Sequence, residues 1–191
     1  MSLFVNTFFE ERLQDLFNLA ARVEKAFRAA GLEYRVVGGL AAYLYVEEAE
    51  SDAGRLTKDI DILVRRQDLR RIAEAVEPFG LEYRHAAGVD MLVQKGAPSA
   101  RRAVHMIFEG EKVRPEYSEA AAKIGEGREI QGIPVIPLVD LVTMKLTSFR
   151  AKDETHINDL DEQGLITPEI ESALSPLLRE RLAQARARTR G

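Results

Sequence analysis

The chain contains no cysteine and only three histidines. The first absence excludes disulfide frameworks, thiolate zinc sites and cysteine nucleophiles together, and the second leaves few imidazoles to place. No uninterrupted apolar run approaches the roughly 18–20 residues that a membrane span requires. Met1 to Asn6 shows no basic stretch leading into an apolar signal core, so a cytoplasmic protein with no membrane partner is expected. An excess of positive charge is also lacking. Lysine and arginine number 27 against 31 aspartates and glutamates, a net charge of −4, with a pI near 5.6. That balance argues against a surface built as a whole for phosphate backbones, so nucleic acid is a partner that local patches permit and net charge does not indicate. One patch is visible: Arg179, Arg181, Arg186, Arg188 and Arg190 crowd the C-terminus. It reads as a solvated helix face ending in a frayed tail.

What is present is ordinary for a folded chain: 191 residues, 46% hydrophobic and 30% charged, with no internal repeat and no low-complexity segment. From Phe8 to Ala30 the apolar positions Phe9, Leu13, Leu16, Phe17, Ala20, Val23 and Phe27 recur at three- and four-residue steps, predicting a long amphipathic helix that Gly31 ends. Leu32 to Val37 reads as a strand running into Gly38-Gly39, and Leu40 to Val46 as a helix. Glu47 to Gly54 reads as an acidic loop, and Lys58 to Val64 as a strand. Gln67 to Glu77 is helical up to Pro78, and Tyr83–His85, Val89–Val93 and Ala103–Phe108 are further strands. Pro134 and Pro137 bracket a short apolar stretch. Helices are then expected over Leu138–Arg150 and His156–Glu162 and from Thr167-Pro168 and Ser175-Pro176, by the N-cap and first-turn proline signals. The expected class is α+β (α/β), a mixed β-sheet flanked by helices. Residues 1–136 form the α/β domain with its long N-terminal helix, and 137–191 a small C-terminal helical cap packed on it.

Two local signals bear on chemistry. A glycine pair between strand and helix lets backbone amides approach a ligand, and the helix N-terminus offers unpaired N–H groups, an arrangement suited to triphosphate oxygens at Gly38 and Gly39. Residues i and i+2 of a strand share a face, so Asp59 and Asp61 can converge on one hard dication, or on a pair, beside that seat. Each signal alone has an ordinary structural account, a tight turn or a solvated strand face. Their succession is what points to phosphoryl-group chemistry, in which Mg2+ (or Mn2+) neutralises the triphosphate and orients an in-line attack.

The stretch Val37-Gly38-Gly39-Leu40-Ala41, followed by Arg55-Leu56-Thr57-Lys58-Asp59-Ile60-Asp61-Ile62-Leu63-Val64, resembles the nucleotidyltransferase-fold superfamily, also named for DNA polymerase β. The style is that of small bacterial members, among them toxin-like and abortive-infection-like proteins. The later run from Leu141 to Leu160, with Met144-Lys145-Leu146, Arg150, Lys152-Asp153, His156 and Asp159-Leu160, is similar to that group's helical cap. The resemblance spans roughly residues 30 to 165. It implies magnesium-dependent binding of a nucleoside triphosphate and transfer of a nucleoside monophosphate to an acceptor with release of pyrophosphate. Gly38 and Gly39 would seat the triphosphate and Asp59 and Asp61 would hold metal. Arg55, Lys58 and Lys145 are candidate phosphate contacts, and Thr57 lies in the same nucleotide-binding stretch.

The chain departs from the family at a third acidic position. Active members carry another carboxylate on a later strand, and the matching strand here, Ala103 to Phe108, places His105 there. Imidazole is a poor magnesium ligand, but a neutral histidine can accept a proton. Three readings stay open: a weakened or lost transferase, an enzyme with His105 as base, or a substitute acid, for which Asp90 and Glu109 are candidates. Glu47, Glu48, Glu50 and Asp52 would repel a triphosphate unless their loop swings outward. Five residues apart on one helix, Lys145 and Arg150 would diverge by roughly 140°. The acceptor is not specified by the residues and could be a hydroxyl on protein, RNA or a small molecule. The alternative to an enzyme is a degenerate module of the same fold that binds a protein partner, such as half of a toxin–antitoxin-like pair.

Overall fold

The computed structural model describes residues 3–51, 54, 57, 59–96 and 103–189. The N-terminal apolar stripe forms α1 (Leu3–Ala29), which buries Leu16, Ala20, Val23, Ala26 and Phe27. Gly31 takes the left-handed conformation that lets the chain leave the helix. After β1 (Arg35–Val37) the chain enters α2 (Gly38–Ala49) with no intervening loop. It continues through β2 (Ile60–Val64), a 3-10 turn (Arg66–Asp68) and α3 (Leu69–Val76). Strands β3 (Leu81–Ala86), β4 (Val89–Gln94), β5 (Val104–Phe108), β6 (Arg128–Ile130) and β7 (Ile133–Val135) follow. The last quarter is helical: α4 (Leu138–Ser148), α5 (Ala151–Glu162), α6 (Pro168–Ala173) and α7 (Pro176–Thr189).

The strands form one mixed sheet in the order β3-β4-β5-β2-β1-β7-β6. β2 runs parallel to β5 and β1 parallel to β7, while the other neighbours are antiparallel. One apolar cluster runs from Leu16 of α1 through Ile62, Val104 and Leu92 of the sheet to Leu141, Leu160 and Leu182 of the C-terminal helices. α2 packs on β1 and β2 and is itself covered by α4 and α5, so its first turn sits between the sheet and those two helices. Among the described residues no helix is long and apolar enough to cross a membrane.

Several expectations need correction. The acidic stretch is not a loop from Glu47: α2 continues through Ala49, since Glu and Ala are good helix formers. Glu47 and Glu48 therefore lie about 12–14 Å along the helix from Gly39, at 1.5 Å per residue, and Glu48 pairs with Arg128 at 2.9 Å. Their charge is carried to the far end of α2, away from the glycine pair. The stretch around Pro134 belongs to a hairpin, β6 and β7, turned by Gln131 and Gly132, both at positive φ. Two successive left-handed residues match the twist of the strands they join. α5 begins at Ala151 rather than His156, because Asp153 accepts the backbone N–H of Arg150 and closes the helix start.

The C-terminal arginines are only in part a solvated face: Arg179 and Arg188 are exposed, but three of the five tie helices together. Arg181 donates to the carbonyls of Leu146 and Thr147 at 2.7 and 2.8 Å, two acceptors at the end of α4. Arg186 bridges Asp161 and Glu171, and Arg188 pairs with Glu154. Leu178, Leu182 and Ala185 are buried beneath them, so α7 is a docked helix tied down at three points. Arg179 carries no such tie and Arg190 lies outside the described residues.

Candidate active site

β1 ends at Val37, directly opposite Asp61 of β2. Gly38 has φ +69, and a methyl group built on it would overlap the Asp61 carboxylate. A Cβ on Gly39 would come within 2.6 Å of Thr57 Oγ1 and 3.5 Å of His156 Cε1. Each glycine thus leaves room that a side chain of the 57–61 segment fills. α2 opens here with no side-chain cap at Val37 and no acidic residue in its first turn. Its leading N–H groups and partial positive charge are left for solvent or an anionic ligand.

Asp61 of β2 and His105 of β5 are cross-strand partners, and Met91 of β4 continues the row. His105 Nδ1 lies 3.3 Å from Asp61 Oδ1. That hydrogen bond raises the imidazole pKa above its ordinary value, against the opposing effect of burial, with the negative fields of Asp61 and Asp59 adding to the rise. Asp59 precedes β2, and the backbone carbonyl and amide of Asp59 meet the hydroxyl of Thr57 at 3.3 and 3.5 Å.

Lys145 approaches from α4. It is 5% exposed, with Nζ 3.2 Å from Asp153 Oδ1 and 2.8 Å from His156 Nδ1. Burial lowers its pKa and Asp153 opposes the drop. Asp153 is 1% exposed and also accepts from Ser148 Oγ (2.7 Å) and Arg150 Nε (2.7 Å). Burial alone would push its pKa up, but the hydrogen bond from Arg150, the Lys145 charge and the bond from Ser148 outweigh it and hold the carboxyl at about 2. Lys145 and Arg150 were expected to diverge on one helix; they converge on Asp153 instead. Phe149, at φ +46, ends α4 in the left-handed region and swings Arg150 onto the start of α5.

Gly38, Gly39, Thr57, Asp59, Asp61, His105 and Lys145 all line one cleft of about 530 Å³. Asp90 borders the same cleft but is engaged elsewhere: its Oδ1 accepts the Tyr83 hydroxyl at 2.6 Å and lies 2.9 Å from His85 Nδ1. One residue along from Met91, it is turned by the pleat away from the Asp61–His105 row. Glu109 accepts the Ile124 backbone N–H at 2.8 Å and meets Arg65 at 3.3 Å, holding a loop. Arg55 and Lys58 lie outside the described residues. Sequence reading overlooked the loop after β5, which contributes Lys112 and Tyr117 to the cleft. It has no apolar period by which to be noticed.

The donor set can be tested against a metal. Two carboxylates with phosphate oxygens suit magnesium or manganese, whereas the imidazole of His105 does not complete a shell of hard oxygen donors. Among the described residues no group of three or more histidines or carboxylates is assembled to hold a metal by itself. Asp59 and Asp61 therefore fit a dication shared with a triphosphate and not a cage built by protein alone.

No family model and no curated protein sequence matches this chain. Solved structures do. The solution structure of the antibiotic-resistance factor ANT(2'')-Ia is 13% identical, with 93% of this chain and 94% of that one covered and a TM-score of 0.52. The crystal structure of the same factor in complex with adenylyl-2''-tobramycin is also 13% identical, with 90% and 97% covered and a TM-score of 0.52. An antigenic nucleotidyltransferase-like protein from Paracoccidioides brasiliensis is 17% identical, with 89% and 86% covered and a TM-score of 0.54. The chain has the nucleotidyltransferase fold, a mixed sheet of seven strands with seven α-helices among its described residues.

Two predictions follow from this geometry. Gly31 and Gly38 are both left-handed, but nothing lies within 4 Å of a Cβ at Gly31. Gly31→Ala should cost about 1–2 kcal/mol, the backbone penalty alone, and Gly38→Ala clearly more, because Asp61 must move; urea unfolding of both variants measures the difference. The second concerns Asp153. With its pKa depressed to about 2 from an ordinary 3.8, it contributes about 2 kcal/mol at neutral pH, lost as pH falls from about 4 to about 2. Asp153→Asn should cost about 3 kcal/mol at pH 7 by leaving Lys145 without its counter-charge. The gap to wild type should narrow over that acid range in urea titrations followed by circular dichroism.

Proposed function

We propose that this chain is a nucleotidyltransferase. In this reading it binds a nucleoside triphosphate with magnesium or manganese at Gly38, Gly39, Asp59 and Asp61 and transfers the nucleoside monophosphate to a hydroxyl acceptor. The observation that carries the reading is the interlock of the glycine pair with the Thr57–Asp61 segment. Gly38 and Gly39 at the start of α2 line the same cleft as Asp59 and Asp61, which supports the reading. A bound dication would offset phosphate charge and make the α-phosphorus more open to attack.

The chain's own groups do the rest. The Gly38 and Gly39 amides orient the phosphates, with Thr57 and Lys145 lining the same cleft. The acceptor oxygen forms a bond to the α-phosphorus, the bond from that phosphorus to the bridging oxygen of the leaving pyrophosphate breaks, and the acceptor's proton passes to His105. Nucleotidyl transfer to a hydroxyl of a small molecule is supported by the ANT(2'')-Ia complex, which contains adenylyl-2''-tobramycin.

A second reading has its own observation. His105 stands beside Asp61 where a third carboxylate would serve the reaction, and Asp90 and Glu109 are each held by other partners. A protein so altered could keep the fold and bind a protein partner without turnover, as half of a toxin–antitoxin-like pair.

Thermal unfolding with each ribonucleoside triphosphate, with and without magnesium, tests the first reading. It expects magnesium-dependent stabilisation of about 2.7 kcal/mol at a hundredfold excess over the dissociation constant, lost in the Asp59→Asn, Asp61→Asn double variant. Equal binding by that variant would sink it. Pyrophosphate release separates the two readings. Release by wild type that falls at least about a hundredfold in His105→Ala supports transfer, whereas none from wild type or from His105→Asp supports the silent module.

A further inference from the structure

We infer that the outer half of the cleft is an acceptor subsite for a hydroxyl compound that is anionic and carries an apolar face, not for a polycation such as tobramycin. The inference rests on the transfer reading and adds the chemical class of the acceptor.

Three large apolar side chains are exposed among the described residues, Val89, Val113 and Leu177, and two of them border this cleft. Val89 lies on the β3–β4 hairpin and Val113 on the loop after β5, so two separate elements each bring one to the cleft lining. Lone exposed apolar residues are common on protein surfaces, but two lining one cleft give a ligand apolar surface to cover. Val113 is flanked by Lys112 and Arg114, both exposed and both lining the cleft. The loop that carries them is built, not loose. Its neck is closed by backbone bonds from Gly110 to Ala121 (2.9 Å) and from Ala121 to Glu111 (2.8 Å), and Glu119 accepts the Ser175 hydroxyl at 2.7 Å just before α7.

Charge decides the sign of the ligand. Every acid of the outer cleft already has a partner. Glu111 is gripped by Arg66 through two bonds of 2.5 and 2.6 Å, with that guanidinium 3.6 Å from the centre of the Phe108 ring. Asp90 is held by Tyr83 and His85, and Glu119 by Ser175. The cations are less committed. Arg114 meets Glu116 only at 3.8 Å between two exposed side chains, and Lys112 has no ion pair among the described residues. Each of these outer carboxylates already accepts a hydrogen bond from the protein, and Glu111 is charge-paired as well, while an anion would find in Lys112 and Arg114 two available cations beside an apolar contact.

The probe is 8-anilinonaphthalene-1-sulfonate, an aromatic anion, titrated by fluorescence into the native protein. The expected result is saturable binding at one site, with affinity falling at least about tenfold (1.4 kcal/mol) in the Lys112→Glu, Arg114→Glu double variant and in Val113→Asp. Millimolar tobramycin should not displace the dye, and the Asp59→Asn, Asp61→Asn variant should keep it. Val89→Asp, on the β3–β4 hairpin, should weaken dye binding independently of the loop variants, and each variant's unfolding midpoint establishes that it is folded. No saturable binding by wild type, affinity unchanged in the loop variants, or displacement by tobramycin would overturn the inference. Loss of triphosphate stabilisation with the dye site intact would remove the transfer reading and leave the subsite; the reverse pattern would remove the subsite and leave transfer.

Discussion

The space a Cβ would occupy at Gly38 and Gly39 is taken by Asp61 and Thr57, and the rest of the site depends on that exchange of room. With β1 antiparallel to β2, Val37 stands opposite Asp61, so the chain turns into α2 at the point where the carboxylate arrives. Any side chain on Gly38 would separate the helix start from the strand. The strand and helix could persist with larger residues there, but the N–H groups and the carboxylates would no longer face one volume. The fold positions chemistry here by what two residues lack.

A second constraint holds the cleft's other wall. Lys145 is buried next to Asp153, and the pair is tolerated because Ser148, Arg150 and His156 supply further hydrogen-bond partners. This arrangement requires α4 to stop and α5 to start within two residues, which the left-handed Phe149 allows. α7 then secures the break: Arg181 donates to the carbonyls left open near the end of α4. Arginines that look like surface charge in the sequence act here as ties between helices. Arg181 and Arg186 are partly withdrawn from solvent by partners 15 to 35 positions earlier in the chain, while Arg188 stays largely exposed.

Much of the architecture was legible along the chain because the relevant signals are local and periodic. The stripe from Phe9 to Phe27, the strand ending at the glycine pair, the apolar positions of Ile60 to Val64 and the Thr167-Pro168 start each announce an element without help from neighbours. The hairpin of β6 and β7 was not legible. Two three-residue strands around a Gln-Gly turn, one containing Pro134, have too little pattern to stand out, and they are strands because β7 pairs with β1. The extent of α2 past Val46 was missed for the opposite reason: Glu47 and Glu48 look like loop by charge and are helical by propensity.

For the site, residue types and spacing along the sequence determined the candidates: glycines where a strand meets a helix, two aspartates on one strand face, and a histidine in the strand that follows. Those depend on period and backbone freedom, which are properties of neighbours in the chain. Only the tertiary structure decided that His105 lies against Asp61 while Asp90 is drawn off by Tyr83 and His85. The same holds for Lys145 meeting Asp153 and His156, and for the Lys112–Arg114 loop lining the cleft. Each of these turns on strand register, on a helix break, or on a loop neck closed by backbone bonds. Such pairings join residues 5 to 44 positions apart, and nothing in the intervening sequence encodes the distance between them.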